Sequence, residues 1–482
     1  MGLFDLFKKK QEEAVEANVA RENTASETIE QENSGKKDNV TNQADTSTGM
    51  CMAILDTFSL QNHDDLVVVG KVSGTVYEGQ AVCVRNCGED EEAMTFTLVV
   101  GIETGPGVTA KEAKDCHVGL RIENGKQLNL KKGTVLYTPE CTEEQIRGAY
   151  TTALGDIFVA KQDLEIAEAD MEKLSLADCA EIWRLFIWFQ TQVVKQKDEE
   201  KLKVHRERLS KLALAMGKKL LEAEAIYCVY SKDTGEPYMF SQTVRQNNGN
   251  YMCTPPHILV VTKQYEKQLM DSLPADKFEM RCIENGEDRK GIYNFLGSTF
   301  YLNGACEVAI QAHQSTVAAE MIVPKPDYSQ VKPINVPVTN PDLVRWMLLI
   351  GQMGKPEGED QELIYRLYYR FMAIEMTKAK FLIPMKHEGE MPKTDEDGKT
   401  VLKDGMSMQL PTMDGKYGRP AVRMFTDWKR LHMAFDEEWN GMIQPIEGMI
   451  GVFDCAINAT EYPQAGCYVG QDMFEDMKKL VK

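Results

Sequence analysis

The apolar residues between Met52 and Thr138 come in runs too short for helices, and turn residues break them at regular intervals. Val67-Val68-Val69-Gly70-Lys71-Val72 reads as one strand and Ser73-Gly74 as its turn. Ala81 to Val84, Leu98 to Ile102, His117 to Ile122 and Gly133 to Tyr137 continue the series, with Asn124-Gly125 between the last two. Short β-branched runs at this spacing fit a small antiparallel β-barrel and little else, because closing the sheet on itself removes its exposed edges. That pattern governs fewer than a hundred of the 482 residues, so further domains must follow.

The barrel segment also resembles a known module. Asp56-Thr57-Phe58-Ser59-Leu60, Val68 to Val76, Glu78 to Val84, Val118 to Ile122 and Lys132 to Leu136 are similar, in order and spacing, to the second domain of elongation factor Tu and related translational GTPases. The resemblance implies a contact module for tRNA or partner proteins. It does not bring GTP binding with it. No P-loop precedes the barrel, and the nearest imitation, Gly119 to Lys126, has the wrong spacing and no Ser or Thr after the lysine. Net charge is −19, which opposes nucleic acid unless a local patch overcomes the field.

Upstream, Leu3, Phe4 and Phe7 share a helical face with Leu6 at its edge, followed by Lys8 to Lys10. This is a candidate docking peptide for a protein groove, and transient membrane-surface contact of residues 1–10 is its other use. Leu6 stands where a myristoylation motif needs Ser or Thr. Residues 11–49 lack Leu and aromatics and read as a disordered acidic tether. No secretory segment and no apolar run of about 20 residues occurs, so a cytoplasmic protein without a transmembrane span is expected.

After Pro139, Thr142-Glu143-Glu144-Gln145 has the form of a capping box. Helical periodicity then runs to about Ala225. Ile182 to Phe189 is apolar enough to be expected in a core. Lys201, Lys203, Arg206, Arg208 and Lys211 alternate with acids and are expected on a solvated face.

Two later stretches repeat each other. Ala225-Ile226-Tyr227-Cys228 pairs with Ala379-Lys380-Phe381-Leu382, and Pro256-His257-Ile258 with Pro420-Ala421-Val422. Asn303-Gly304-Ala305-Cys306 pairs with Asn458, Ala465, Gly466 and Cys467. The near-constant offset implies tandem α+β modules, with the polar Lys386–Lys416 stretch as an insertion. The expected architecture is a docking peptide and tether (1–49), a small antiparallel β-barrel (50–140), a helical connector (141–175), a first module (176–323), a Pro-rich linker (324–339) and a second module (340–482). Ala379 to Pro384, Val422 to Trp428 and Ala456 to Asn458 make the second copy resemble the SseB-like, or enhanced serine sensitivity, family of bacterial proteins. The first copy resembles it more weakly. No catalytic residue is implied by that family. Phe425 and Trp428, where the strand turns into a helix, are expected in the core.

Chemistry-bearing motifs are sparse. The twelve cysteines include no Cys-x-x-Cys, and the seven histidines have no metal-ligand spacing, so neither metal nor cofactor is expected. If the chain is an enzyme, His257, Cys306 and Cys467 are the candidates, with a site between the modules. The blander expectation is a local hydrogen bond for His257 and hairpin positions for the two cysteines, Asn303-Gly304 being a hairpin signal. The sequence favours a non-enzymatic protein that binds another macromolecule, with a ribosome- or tRNA-associated factor as the alternative.

Overall fold

The computed structural model describes residues 49–482 apart from 90–94, 161–167, 197, 247–248, 314, 333–334, 389–406, 416–417 and 482. The docking peptide Leu3, Phe4, Leu6 and Phe7, its tether, and most of the polar insertion lie outside the described residues.

Alternation builds the first body. In β1 (Cys51–Ser59), Met52 and Ile54 face a barrel interior shared with Val68, Val99, Leu120 and Leu136. Cys51 and Ala53 face outward, into a different core. Strands β2 (Leu66–Ser73), β3 (Ala81–Arg85), β4 (Thr95–Gly105), β5 (His117–Ile122) and β6 (Val135–Tyr137) complete the barrel. The antiparallel order is β1-β2-β5-β4-β3-β6, and β6 pairs back to β1. Six strands therefore close. Gly74 (φ 85°) ends β2 as the turn signal predicted.

Helix α1 (Glu143–Leu154) starts at the capping box. The Thr142 hydroxyl accepts from the Gln145 N–H at 3.3 Å, and the Gln145 side chain accepts from the Thr142 N–H at 2.8 Å. After a π-helical turn (Gly155–Ala160), the long pair α2 (Leu176–Gln196) and α3 (Glu199–Glu222) pack together. Not all of the Ile182–Phe189 run is buried. Ile182, Phe186 and Val193 turn inward at helical spacing, whereas Trp188 is 60% exposed. α1, the π-helical turn and α3 cover one side of this helix and leave the other in water, so the apolar stretch is not buried all round. On α3, Lys203, Arg206 and Lys211 are exposed as expected, but Arg208 is buried, with its guanidinium 5.3 Å from the Phe186 ring centroid.

A middle sheet follows. Its strands β7 (Ala225–Ser231), β8 (His257–Val261), β9 (Phe278–Glu284), β10 (Glu307–Ile310) and β11 (Thr316–Ala318) lie in the order β9-β7-β8-β10-β11. Only β8 and β10 are parallel. Helices α4 (Lys263–Met270) and α5 (Gly291–Tyr301) connect them. Asn303-Gly304 is not a hairpin; it joins α5 to β10. Gly304 (φ 80°) is required there by close approach, since a Cβ would lie 2.1 Å from the Pro341 carbonyl oxygen.

The C-terminal region opens with α6 (Pro341–Met353) and α7 (Gly358–Met376). In its sheet, β12 (Lys380–Glu388) pairs with β14 (Asn440–Pro445) and meets β13 (Pro420–Met424) through reciprocal Leu382–Phe425 backbone bonds of 2.8 Å. Strand β15 (Asp454–Ile457) runs parallel to β13 and pairs with β16 (Cys467–Val469). Helix α8 (Trp428–Ala434) follows β13, and α9 (Gln471–Val481) ends the fold. Phe425 is fully buried, but Trp428 is 37% exposed. As the first residue of α8 it lies across Gly441 of β14, while Arg430 and Leu431 occupy the inward positions.

Helix α6 serves two apolar cores. Val344 and Leu348 belong to the core of the connector helices and middle sheet, and Leu343 and Met347 to that of the C-terminal sheet.

Candidate functional site

Three places deserve a chemical reading. The first is a groove of about 640 Å³ between the barrel and α1. Its floor is the outer face of β1 and its neighbours. Ala53 stands opposite Lys71, and Lys71 opposite His117. Its wall is α1, presenting Gln145, Gly148, Thr152 and, just past the helix end, Asp156. The Cys51 thiol approaches the Gln145 carbonyl (3.8 Å) at one end. At the other, Gly133, whose N–H donates to the Ile54 carbonyl (2.8 Å), sits against Leu154. Helix and strand therefore run side by side. Asp115 lies at the Cys51 end, where its carboxylate accepts from the Gly74 N–H at 2.8 Å. Gly148 is mid-helix, and a Cβ there would meet nothing within 4 Å. Glycine in a helix interior costs about 0.5–1 kcal/mol relative to alanine, and the surrounding structure gives no packing reason for it.

The second place is the joint between the middle and C-terminal sheets. Arg430, 2% exposed, donates to Asp427 (2.6 Å), to Glu236 (3.0 Å) and to the Asn303 side-chain oxygen (2.8 Å). The Asn303 amide donates to Glu236 at 2.9 Å, and Lys429 reaches the same carboxylate at 3.0 Å. Burial alone would raise the Glu236 carboxyl pKa, but Arg430 and Lys429 hold it below the usual carboxylate range. Asp427 also caps α8, accepting from the Arg430 N–H at 3.0 Å. The joint is thus filled by groups turned toward one another.

The third comprises the candidate catalytic residues. His257 is buried, and its Nε2 lies 3.0 Å from His313 Nδ1 with Phe240 stacked alongside. Burial pushes the His257 imidazole pKa down. Burial, with His257 beside it, pushes His313 down to about 4. His257 therefore keeps the local hydrogen bond expected of it, to the Pro255 backbone, and adds a partner 56 residues away in His313. The Cys306 N–H donates to the Pro256 carbonyl (2.8 Å), so its backbone neighbours His257, yet that imidazole is engaged by His313. Burial raises the Cys306 thiol pKa and pushes Cys467 to about 12, the reverse of an activated nucleophile. Cys467 lines an apolar cavity of about 170 Å³ with Met347, Tyr365, Tyr369 and Met372. The two cysteines are not equivalent in position. Cys306 precedes β10, which pairs in parallel with β8, whereas Cys467 opens β16, the antiparallel strand beyond β15. All twelve cysteines are free thiols.

Sequence reasoning missed Glu236, Asn303 and Arg430. A signal was present at Asp427: an aspartate followed three residues later by a basic residue at a helix start.

These observations define a multi-domain protein with a closed antiparallel barrel, connecting helices and a β-rich C-terminal region. Residues 368–452, from the second half of α7 to just past β14, match the SseB protein N-terminal domain. The chain carries an SseB-family domain there, and that description assigns no reaction. No curated protein matches the chain. Among the described residues no helix is long and apolar enough to cross a membrane.

Proposed function

We propose that this is a non-enzymatic interaction protein of the bacterial cytoplasm, binding another macromolecule through its barrel and a duplicated SseB-like module. The observation that carries the reading is the filled joint. An enzyme with a site between the modules needs an open cleft there, and Arg430, Glu236, Asp427 and Asn303 occupy it, paired with one another. The raised thiol pKa values of Cys306 and Cys467 support it.

Duplication is supported by connectivity. In both sheets an antiparallel helix pair precedes a first strand that pairs on one side with a later strand. On its other side lies a strand parallel to the next one, followed by an antiparallel edge. We place the modules at 176–323 and 340–482, the barrel at 50–140 and the connector at 141–175. The closed six-strand barrel supports the likeness to the second domain of elongation factor Tu, used here as a contact surface without a GTPase.

The test is affinity capture from native cytosol with the full chain and with a variant carrying Cys306→Ser, Cys467→Ser and His257→Gln. A stoichiometric partner retained by both supports the reading. A folded variant that keeps its partner but loses the phenotype of the intact protein overturns it.

A further inference from the structure

The groove between the barrel and α1 has a charge order along its length, and that order specifies a ligand. Register fixes two levels, and the groove lining adds a third at Leu55, the residue bulged out of the β1–β2 register. At the first, Cys51 faces Ser73, with Asp115 beside the turn that follows. At the second, Ala53 faces Lys71, which faces His117. At the third, Leu55 lies toward the end of α1, where Asp156 lines the groove. The sequence of charges is acidic, basic, acidic. Levels two residues apart on a strand are separated by roughly 7 Å, the same-face repeat of any extended chain. α1 is long enough to flank all three levels, since its twelve helical residues are roughly 18 Å long.

We propose that this groove binds an extended peptide segment of a protein partner with a cation-x-anion-x-cation pattern, its alternate side chains meeting Asp115, Lys71 with His117, and Asp156. The proposal rests on the interaction reading above and names the site and partner chemistry. Gly148 is the independent mark of it. Gly148 is exposed on the groove wall with open space above it, so a seated peptide can approach the helix backbone there. Bulk at Gly148 should then cost binding without costing stability, which a purely structural glycine would not allow.

The experiment uses the full chain, titrated at low salt with the blocked peptide Ala-Lys-Ala-Glu-Ala-Lys-Ala and its charge-inverted counterpart Ala-Glu-Ala-Lys-Ala-Glu-Ala, read by fluorescence polarisation. The patterned peptide is expected to bind at least ten-fold more tightly than the inverted one. Lys71→Glu should weaken it at least ten-fold. Gly148→Leu should weaken it similarly with no loss of melting temperature, and Gly148→Ala should raise the melting temperature while weakening binding less. Equal binding of the two peptides, no saturation below millimolar concentration, or indifference to Gly148→Leu overturns the proposal. So does saturable binding of RNA with no binding of the patterned peptide. If the peptides fail while Lys71→Glu and Gly148→Leu still capture the wild-type partner from cytosol, the groove assignment falls and the interaction reading stands.

Discussion

Two buried ion networks hold this molecule together, and they are built differently. At the barrel–helix joint, the Lys131 ammonium donates to Asp178 (2.8 Å) and Glu89 (2.6 Å). Asp178 also accepts from the Tyr150 hydroxyl (2.7 Å) and the Ser175 N–H (2.8 Å). Glu89 is 37% exposed at its side chain. At the sheet–sheet joint, Arg430, Asp427 and Glu236 are all at most 6% exposed. The first network sits beside a continuous apolar core that already ties Cys51, Ala53 and Val135 of the barrel to the helices. The second joins two sheets that pack into distinct apolar cores, bridged by α6, which contributes to both. Where apolar contact is continuous, an ion pair orients. Where two cores meet only along a shared helix, a planar guanidinium with three acceptors adds registration that apolar packing does not supply.

The comparison predicts unequal costs. Arg430→Ala removes the one cation shared by Asp427 and Glu236 and leaves Asp427, 1% exposed, with only its capping N–H and the Thr426 hydroxyl. It should destabilise by about 3–5 kcal/mol, read as a lower urea midpoint. Separation into two transitions would show that the joint alone couples the C-terminal region. Phe425→Ala, in the small core beneath α8, should cost about 3–5 kcal/mol and spread no further than that region. Lys131→Ala should cost less, about 2–3 kcal/mol, because Asp178 keeps its Tyr150 and Ser175 donors and Glu89 can turn to water. A larger loss than for Arg430→Ala would reverse the ranking of the joints.

Acid separates the networks from the histidine pair. His313 has a folded pKa of about 4 against 6.5, so below pH 6.5 the unfolded chain takes up a proton that the folded chain refuses. Stability should fall by on the order of 1 kcal/mol between pH 7 and pH 5 and level off below pH 4. His313→Gln should flatten that slope. Glu236 has a depressed pKa, so its contribution is complete above pH 4.5 and is lost only as pH falls further. The joint should therefore outlast the histidine effect on a pH titration of the melting temperature. The smallest change expected is Trp428→Ala, about 1 kcal/mol or less, since its ring is partly in water.

What was legible in the sequence was periodic. The barrel strands and the capping box at Thr142 follow from spacing alone. What was not legible depends on partners distant in sequence. Asn303 reads as a turn residue because its Glu236 and Arg430 partners are 67 and 127 positions away. Trp188 and Trp428 read as core because hydropathy reports affinity for an interior, not whether a neighbour arrives to provide one. The groove has no sequence signature at all, since its walls come from residues 51 to 156 in separate elements. Gly148 gains meaning only when the space above it is seen to be empty.

The divided allegiance of α6 has a consequence during synthesis. Its Val344 and Leu348 flank can dock as soon as the middle sheet exists, but the Leu343 and Met347 flank must wait for strands and a helix that end with Met477. At ribosomal rates of roughly 5–20 residues per second, that wait is on the order of 6–25 s. For that interval the nascent chain presents a half-clad helix, and β15, β16 and α9 act as the clasp that closes it.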